Sequence, residues 1–236
     1  MKRRPRFFVP ELSSPDVVLS PDESHHLVHV LRVEEGASVE IFDGRGEAAS
    51  AVVHEIRGGS VTLKVVAPLE SRESPLHLVL AVAVPKGDRM TWMVQKLTEL
   101  GVRRIVPLLA ERGEVRREAC ERNLARWRRV ALESCKQSGR SVAPEIDVPT
   151  EPSEILLAHR GARLVAHPGA ARLSPPIDGE TPVLALVGPE GGWSDRELAL
   201  AESSGTVRFG LGPRVLRTET AAIAAAVLLQ SMAGDL

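Results

Sequence analysis

The sequence predicts an α/β protein in which a small β domain precedes a larger domain built on a mainly parallel sheet. Three observations carry that reading. Up to about residue 72, apolar residues recur with period two between glycine-containing turns. From Leu76 onward, short apolar strands are separated by helix-like segments, the order produced by βα crossovers. Near the C-terminus, two glycine-rich turns each follow a strand and precede a helix, where open α/β sheets place their ligand crevices.

In the first domain, residues 1–72, the strands are Ser38–Phe42, Glu47–Val53 and Ser60–Val66. Turns Asp43-Gly44-Arg45-Gly46 and Arg57-Gly58-Gly59 separate them, as in an antiparallel meander. One helix interrupts the β pattern. Ser20 caps its start, Pro21 suits the first turn, Asp22 and Glu23 favour its positive end, and Leu27, Val30 and Leu31 are expected to face inward. His25, His26 and His29 lie on this helix without a neighbouring cysteine or carboxylate cluster, so they read as exposed or partly buried structural histidines.

In the second domain, residues 73–236, the expected strands are His77–Val84, Arg104–Leu109, Arg163–Ala166, Val183–Val187 and Val207–Phe209. Helices are expected over Arg89–Leu100, Ala119–Ser138, Pro152–Ala158, Ser194–Ser203 and Glu219–Met232. Ser194 with Glu197 three residues on is a capping box. The last helix is apolar nearly all round, which predicts burial beneath the ligand turns or against a second subunit.

Composition narrows the function classes. With 236 residues and 43% hydrophobic content, the chain can bury one large core or two small ones. No segment has the unbroken apolar length of a membrane span. The basic start runs into Phe7-Phe8-Val9-Pro10 rather than a signal-peptide core, so a cytoplasmic protein is expected. Cys120 and Cys135 share one expected helix and show no ligand spacing with histidine, which argues against a disulfide framework and a metal site. The phosphate-loop, dinucleotide-binding and nucleophile-elbow motifs are all missing, so ATPase, nicotinamide-dehydrogenase and hydrolase readings lose support.

The two turns are Gly188-Pro189-Glu190-Gly191-Gly192 and Leu211-Gly212-Pro213-Arg214-Val215-Leu216-Arg217-Thr218-Glu219-Thr220. Glycine lets backbone approach a ligand closely and proline stiffens the turn, so a flat ligand gripped by main chain is expected. Net charge is only −1, yet eleven basic residues face five acidic ones between Arg103 and Arg140. Arg122, Arg126, Arg129 and Lys136 recur at helical spacing opposite Leu124, Trp127, Val130, Ala131 and Ser134. Such a stripe suits a solvated face or phosphate contact.

These turns closely resemble those of the bacterial 16S ribosomal RNA uridine N3-methyltransferases of the SPOUT superfamily. The resemblance covers essentially the whole chain, through Arg6-Phe7-Phe8, His29-Val30-Leu31-Arg32, Phe42-Asp43-Gly44, Glu73-Ser74-Pro75-Leu76-His77, Gln95–Val102, Gln137-Ser138-Gly139-Arg140 and His167-Pro168. Thr91-Trp92 and Lys136 depart from it. It implies a PUA-like RNA-binding β-barrel, then a SPOUT α/β domain with a trefoil knot that binds S-adenosylmethionine, works as a homodimer and acts on the small ribosomal subunit. The implied cofactor residues are His167, Leu186, Gly188, Glu190, Gly191, Gly192, Leu211, Gly212, Val215 and Leu216, with Pro168 at the rim. Methyl transfer from a sulfonium needs no metal. Uridine N3 must lose its proton, so Arg217 is the candidate to stabilise charge on O2 and O4, and Glu219 or Glu190 the candidate to accept the proton. Phosphate contacts are expected from Arg3, Arg4, Arg6, Arg32, Arg122, Arg126, Arg129 and Arg140. The alternatives are a SPOUT RNA methyltransferase for a ribose 2′-hydroxyl or another base, and a non-catalytic ribosome-assembly factor.

Overall fold

The computed structural model describes residues 4–173, 177 and 179–236, so Arg3 lies outside the described residues. The chain divides into two compact units. One comprises residues up to Glu73 together with Leu132–Ala143, the other Ser74–Ala131 with Pro144–Leu236.

In the first unit, β1 (Arg6–Phe8), β2 (Asp16–Val18), β3 (Ser38–Phe42), β4 (Ala48–Arg57) and β5 (Ser60–Pro68) form one sheet in the order β1-β3-β4-β5-β2. The expected meander is β3-β4-β5, and these strands pair antiparallel. The unit is not wholly antiparallel, however. β1 pairs with β3 in parallel, Phe7 opposite Ile41, so the sheet is mixed. Alternate residues of the strands, Val39, Ile41, Ala51, Val53, Val61 and Leu63, meet Phe7 and Leu27 in one core.

Helix α1 (Pro21–His25) begins as its sequence dictates, with Ser20 Oγ accepting from the Glu23 N–H at 3.2 Å. It then widens into a π-helical turn over His26–Val30, closed by Leu31 N–H donating to the His26 carbonyl at 3.0 Å. This wider turn corrects the inward reading of two of the three apolar positions, Val30 and Leu31. Leu27 is buried, but Val30 and Leu31 are carried off that face and are exposed. His25 and His29 are exposed with ring centroids 4.8 Å apart, and the half-buried His26 meets the Phe7 ring edge-on.

The second unit holds a six-stranded sheet, all parallel: β6 (Leu78–Ala83), β7 (Arg104–Leu108), β8 (Glu145–Ile146), β9 (Ala162–Ala166), β10 (Val183–Val187) and β11 (Val207–Phe209). The order is β11-β9-β10-β6-β7-β8. Both faces are covered, as parallel sheets require. On one face Leu78, Leu80, Val82, Val183, Ala185 and Val187 pack with residues of α2 (Arg89–Glu99), α3 (Arg117–Ser138) and α6 (Thr218–Met232). On the other, Val79, Ala81, Leu184 and Leu186 pack with α4 (Pro152–Ala158) and α5 (Asp195–Ser203). The Ser194–Glu197 capping box is present, each side chain accepting from the other residue's N–H.

Beyond β11, at the sheet edge, the chain turns back against the β9–β10 connection. Gly210 N–H donates to the Ala171 carbonyl at 2.8 Å, and a Cβ at Gly210 would stand 2.1 Å from the Ala170 oxygen. Only glycine fits so close a crossing of main chain. The chain then enters α6, whose Ala222, Ala225, Ala226 and Leu229 are buried. Val227, on its other side, is exposed, so the helix is not buried all round.

Helix α3 shows the expected division of faces. Leu124, Trp127, Ala131 and Ser134 are buried, while Arg122, Arg126 and Arg129 are exposed. Lys136 leaves the stripe because its ammonium is held by Glu23 and Glu133. Both cysteines are free and buried, and burial pushes the Cys135 thiol up to about 11.

Candidate active site

The parallel sheet brings the ends of β9 and β10 side by side, and the two sequence turns extend from β10 and β11. Between them lies a cleft of about 630 Å³, its open mouth included. Ala166, His167 and Pro168 come from the end of β9, and Val187, Gly188, Pro189, Glu190, Gly192 and Trp193 from β10 and its turn. Leu211, Gly212, Arg214, Val215 and Leu216 close the second side, with Thr218 and Ala221 of α6 beneath.

Three contacts fix the cleft walls. Thr218 Oγ1 donates to the Gly188 carbonyl at 3.1 Å, Trp193 Nε1 donates to the Ala166 carbonyl at 3.1 Å, and Gly192 N–H closes the first turn onto the Pro189 carbonyl at 2.9 Å. Gly188 is required by this packing, since a Cβ there would come within 2.8 Å of the Trp193 indole. Gly212 is required by its backbone, at φ 106°. Among the described residues, the peptide groups of Leu211, Gly212, Arg214, Val215 and Leu216 make no main-chain hydrogen bond within the chain. They are therefore available to a ligand that bonds to main chain.

Charge behind the cleft is organised by Arg89, at the start of α2. Its guanidinium lies 2.7 Å from Glu190 and 3.5 Å from Glu219, which raises its pKa through the Glu190 hydrogen bond foremost. Glu190 belongs to the first turn and Glu219 to the helix after the second, so one arginine ties both together. Nothing in the local sequence around Arg89 marks this role, because its partners lie more than a hundred residues away. Glu219 is buried, and its Oε2 has no hydrogen-bond partner among the described residues.

A family model described as an RNA methyltransferase domain matches residues 72–230. The chain belongs to that family.

Further likenesses agree with this RNA methyltransferase assignment. A model described as an RNA methyltransferase PUA domain matches residues 19–66. The ribosomal RNA small subunit methyltransferase E of Synechocystis is 32% identical over 87% of this chain and 69% of its own length. The protein of that name from Buchnera aphidicola of Schizaphis graminum is 30% identical over 100% of this chain and 99% of its own. Among solved structures, the small subunit methyltransferase E of Neisseria gonorrhoeae, bound to S-adenosylmethionine, superposes with a TM-score of 0.89 at 33% identity, covering 97% of this chain and 98% of that one.

Within this RNA methyltransferase, the cleft is lined by His167, Gly188, Glu190, Gly192, Leu211, Gly212, Val215 and Leu216 of the residues that the resemblance implied. Leu186 is placed differently. Strand alternation sends its side chain into the core with α4 and α5. Gly191 lines a neighbouring channel rather than the cleft, packed against Arg112. Arg217 occupies the N-cap position of α6, and neither it nor Glu219 lines the cleft, whereas Arg214 does.

The expected phosphate contacts divide in the same way. Arg4, Arg32, Arg122, Arg126 and Arg129 are exposed. Arg6 and Arg140 are instead turned into the first unit. Arg6 lies 4.7 Å over the Phe42 ring and donates to Ser141 Oγ at 2.9 Å, and Arg140 pairs with Glu73 at 2.8 Å. Burial of both guanidiniums corrects their assignment to RNA phosphates. Among the described residues no cluster of metal-ligating side chains occurs, and no helix is long and apolar enough to cross a membrane.

Proposed function

We propose that this protein methylates N3 of a uridine in the 16S ribosomal RNA of the small subunit, using S-adenosylmethionine, and that it works in the cytoplasm as a homodimer. The observation that carries the reading is the cleft between the two glycine turns, whose unengaged main-chain groups suit an adenine ring. Family membership supports it independently.

The cofactor, when bound, supplies an electrophilic methyl group on a positive sulfonium. The chain's own contribution is positioning and proton management. Leu211, Gly212, Val215 and Leu216 would hold the adenosine part through main chain, with Gly188 and Gly192 opposite. Uridine N3–H must be deprotonated before it attacks. That Glu190 is the carboxylate lining the cleft supports it as the acceptor of that proton, with Arg89 bonded to it. Glu219, turned to Arg89, serves better to anchor the clasp than to reach a base. The negative charge that spreads over O2 and O4 would be met by Arg214 from the cleft wall, with Arg217 at the helix start as the second candidate. The exposed Val227 face of α6 is the natural place for a second subunit.

Labelled S-adenosylmethionine and unmodified small subunits test the reading. Label must enter a base, leaving every ribose–phosphate linkage cleavable by alkali. Label in an alkali-resistant dinucleotide would instead mark a ribose 2′-hydroxyl methyltransferase, and cofactor binding without transfer to any subunit would contradict the proposed substrate.

A further inference from the structure

We propose that the second unit carries a path for the RNA strand flanking the target base, a trough that leaves the cleft, passes Lys86 and follows the start of α3 to Arg122. The inference rests on the RNA-methylation reading and extends it to the neighbouring nucleotides. Three depressions join end to end. The cleft and a side channel of about 460 Å³ share Pro189, Glu190 and Thr218. That channel and an open trough of about 1310 Å³ share Val84, Pro85, Lys86 and Glu114.

The charges along this path suit a polyanion. Of the carboxylates on its walls, Asp88 is paired with Arg126 at 2.7 Å, Glu114 with Lys86 at 2.9 Å and Glu190 with Arg89 at 2.7 Å. Glu118 is the remaining acidic group on the walls. Against it stand Arg112, Arg116 and Arg122, all exposed and without an ion pair among the described residues. The uncompensated charge is therefore positive. The Lys86–Glu114 pair is solvent-exposed, with side chains 61% and 55% accessible. Such a pair contributes little and is readily exchanged for a phosphate.

The geometry also fits the chemistry of the reaction. A base in a folded RNA reaches a cleft only when it leaves its stack, and its neighbours are then drawn out as single strand. Their phosphates need cations on the way out of the cleft; Lys86 and Arg112 line the side channel, and Arg116 and Arg122 the trough beyond it. The path is long and open, with Trp127 and Asn123 among its lining residues, which suits a strand rather than a compact anion.

The test compares wild type with Arg116→Glu/Arg122→Glu and with Arg196→Glu, a charge reversal at an exposed arginine that lines none of these depressions. Unmodified small subunits serve as substrate, and subunit affinity is measured by filter binding alongside methyl transfer. The path predicts that the double variant raises KM for the subunit by roughly tenfold and flattens the salt dependence of binding by about 1.4 in log–log slope, for two lost single-strand phosphate contacts. Its kcat and its affinity for S-adenosylmethionine stay at wild-type values, and Arg196→Glu behaves as wild type. Equal subunit affinity and salt slope in the double variant and wild type would overturn the path, as would an equal loss in Arg196→Glu. A wild type that binds subunits without methylating them would overturn the proposed reaction instead, and the binding comparison would still decide the path.

Discussion

Gly188 shows at the scale of one residue why the turn sequence is what it is. It is not at a positive φ among the described glycines; the constraint is space, because the Trp193 indole lies where a Cβ would go. Trp193 cannot easily move, since its Nε1 is committed to the Ala166 carbonyl on the strand that forms the opposite lip. Gly188→Ala is therefore expected to lower stability by about 1–3 kcal/mol through overpacking and to weaken S-adenosylmethionine binding more than Pro189→Ala does. Thermal melts and calorimetry on the two variants check this; unchanged affinity in Gly188→Ala would show that the indole is free to yield. Arg89 operates differently. Its value lies in holding Glu190 and Glu219 from two distant segments, an arrangement set by tertiary structure.

At the scale of elements, the buried pair of Arg140 and Glu73 is the firmest prediction. Glu73 accepts from Arg140 twice and from the Ser141 and Val142 N–H groups at 2.7 and 3.0 Å. Removing it takes one carboxylate from a buried guanidinium and from two peptide donors together. Glu73→Ala should cost about 3–5 kcal/mol, read as a lowered denaturant midpoint, and a loss below 1 kcal/mol would mean that water replaces the carboxylate. The sequence showed Glu73 and Arg140 only as parts of two separate landmarks. Their pairing across 67 residues has no local signature. The same holds for Gln230, buried at 0% exposure, which accepts from Ser74 and donates to the Leu100 carbonyl.

What was legible followed from periodicity and capping. The strands over Ser38–Phe42, Val183–Val187 and Val207–Phe209, and the Ser194 helix start, are local events fixed by neighbouring residues. What was missed depended on geometry that those patterns do not encode. The i→i+5 bond at Leu31 rotated Val30 outward, and the parallel pairing of Arg6–Phe8 joined segments more than thirty residues apart. The glycine turns marked where the cleft lies. They did not tell that Leu186 points away from it, which only the alternation of a two-faced sheet decides.

At the scale of the whole molecule, the cleft, its arginine clasp and the cationic trough form one account of an RNA methyltransferase. On the proposed reading the cleft takes the donor, Glu190 takes the proton of the reacting base, and the trough receives the strand around it. The central claim is that the methyl group is placed on uridine N3 of the small-subunit RNA. It is tested most directly in cells: the 16S RNA of a strain lacking the gene is digested to nucleosides and resolved by mass spectrometry, before and after the gene is returned. The account predicts that N3-methyluridine is missing from the deletion strain, returns with the wild-type gene and stays low with Glu190→Gln. N3-methyluridine present at full level in the deletion strain would contradict it.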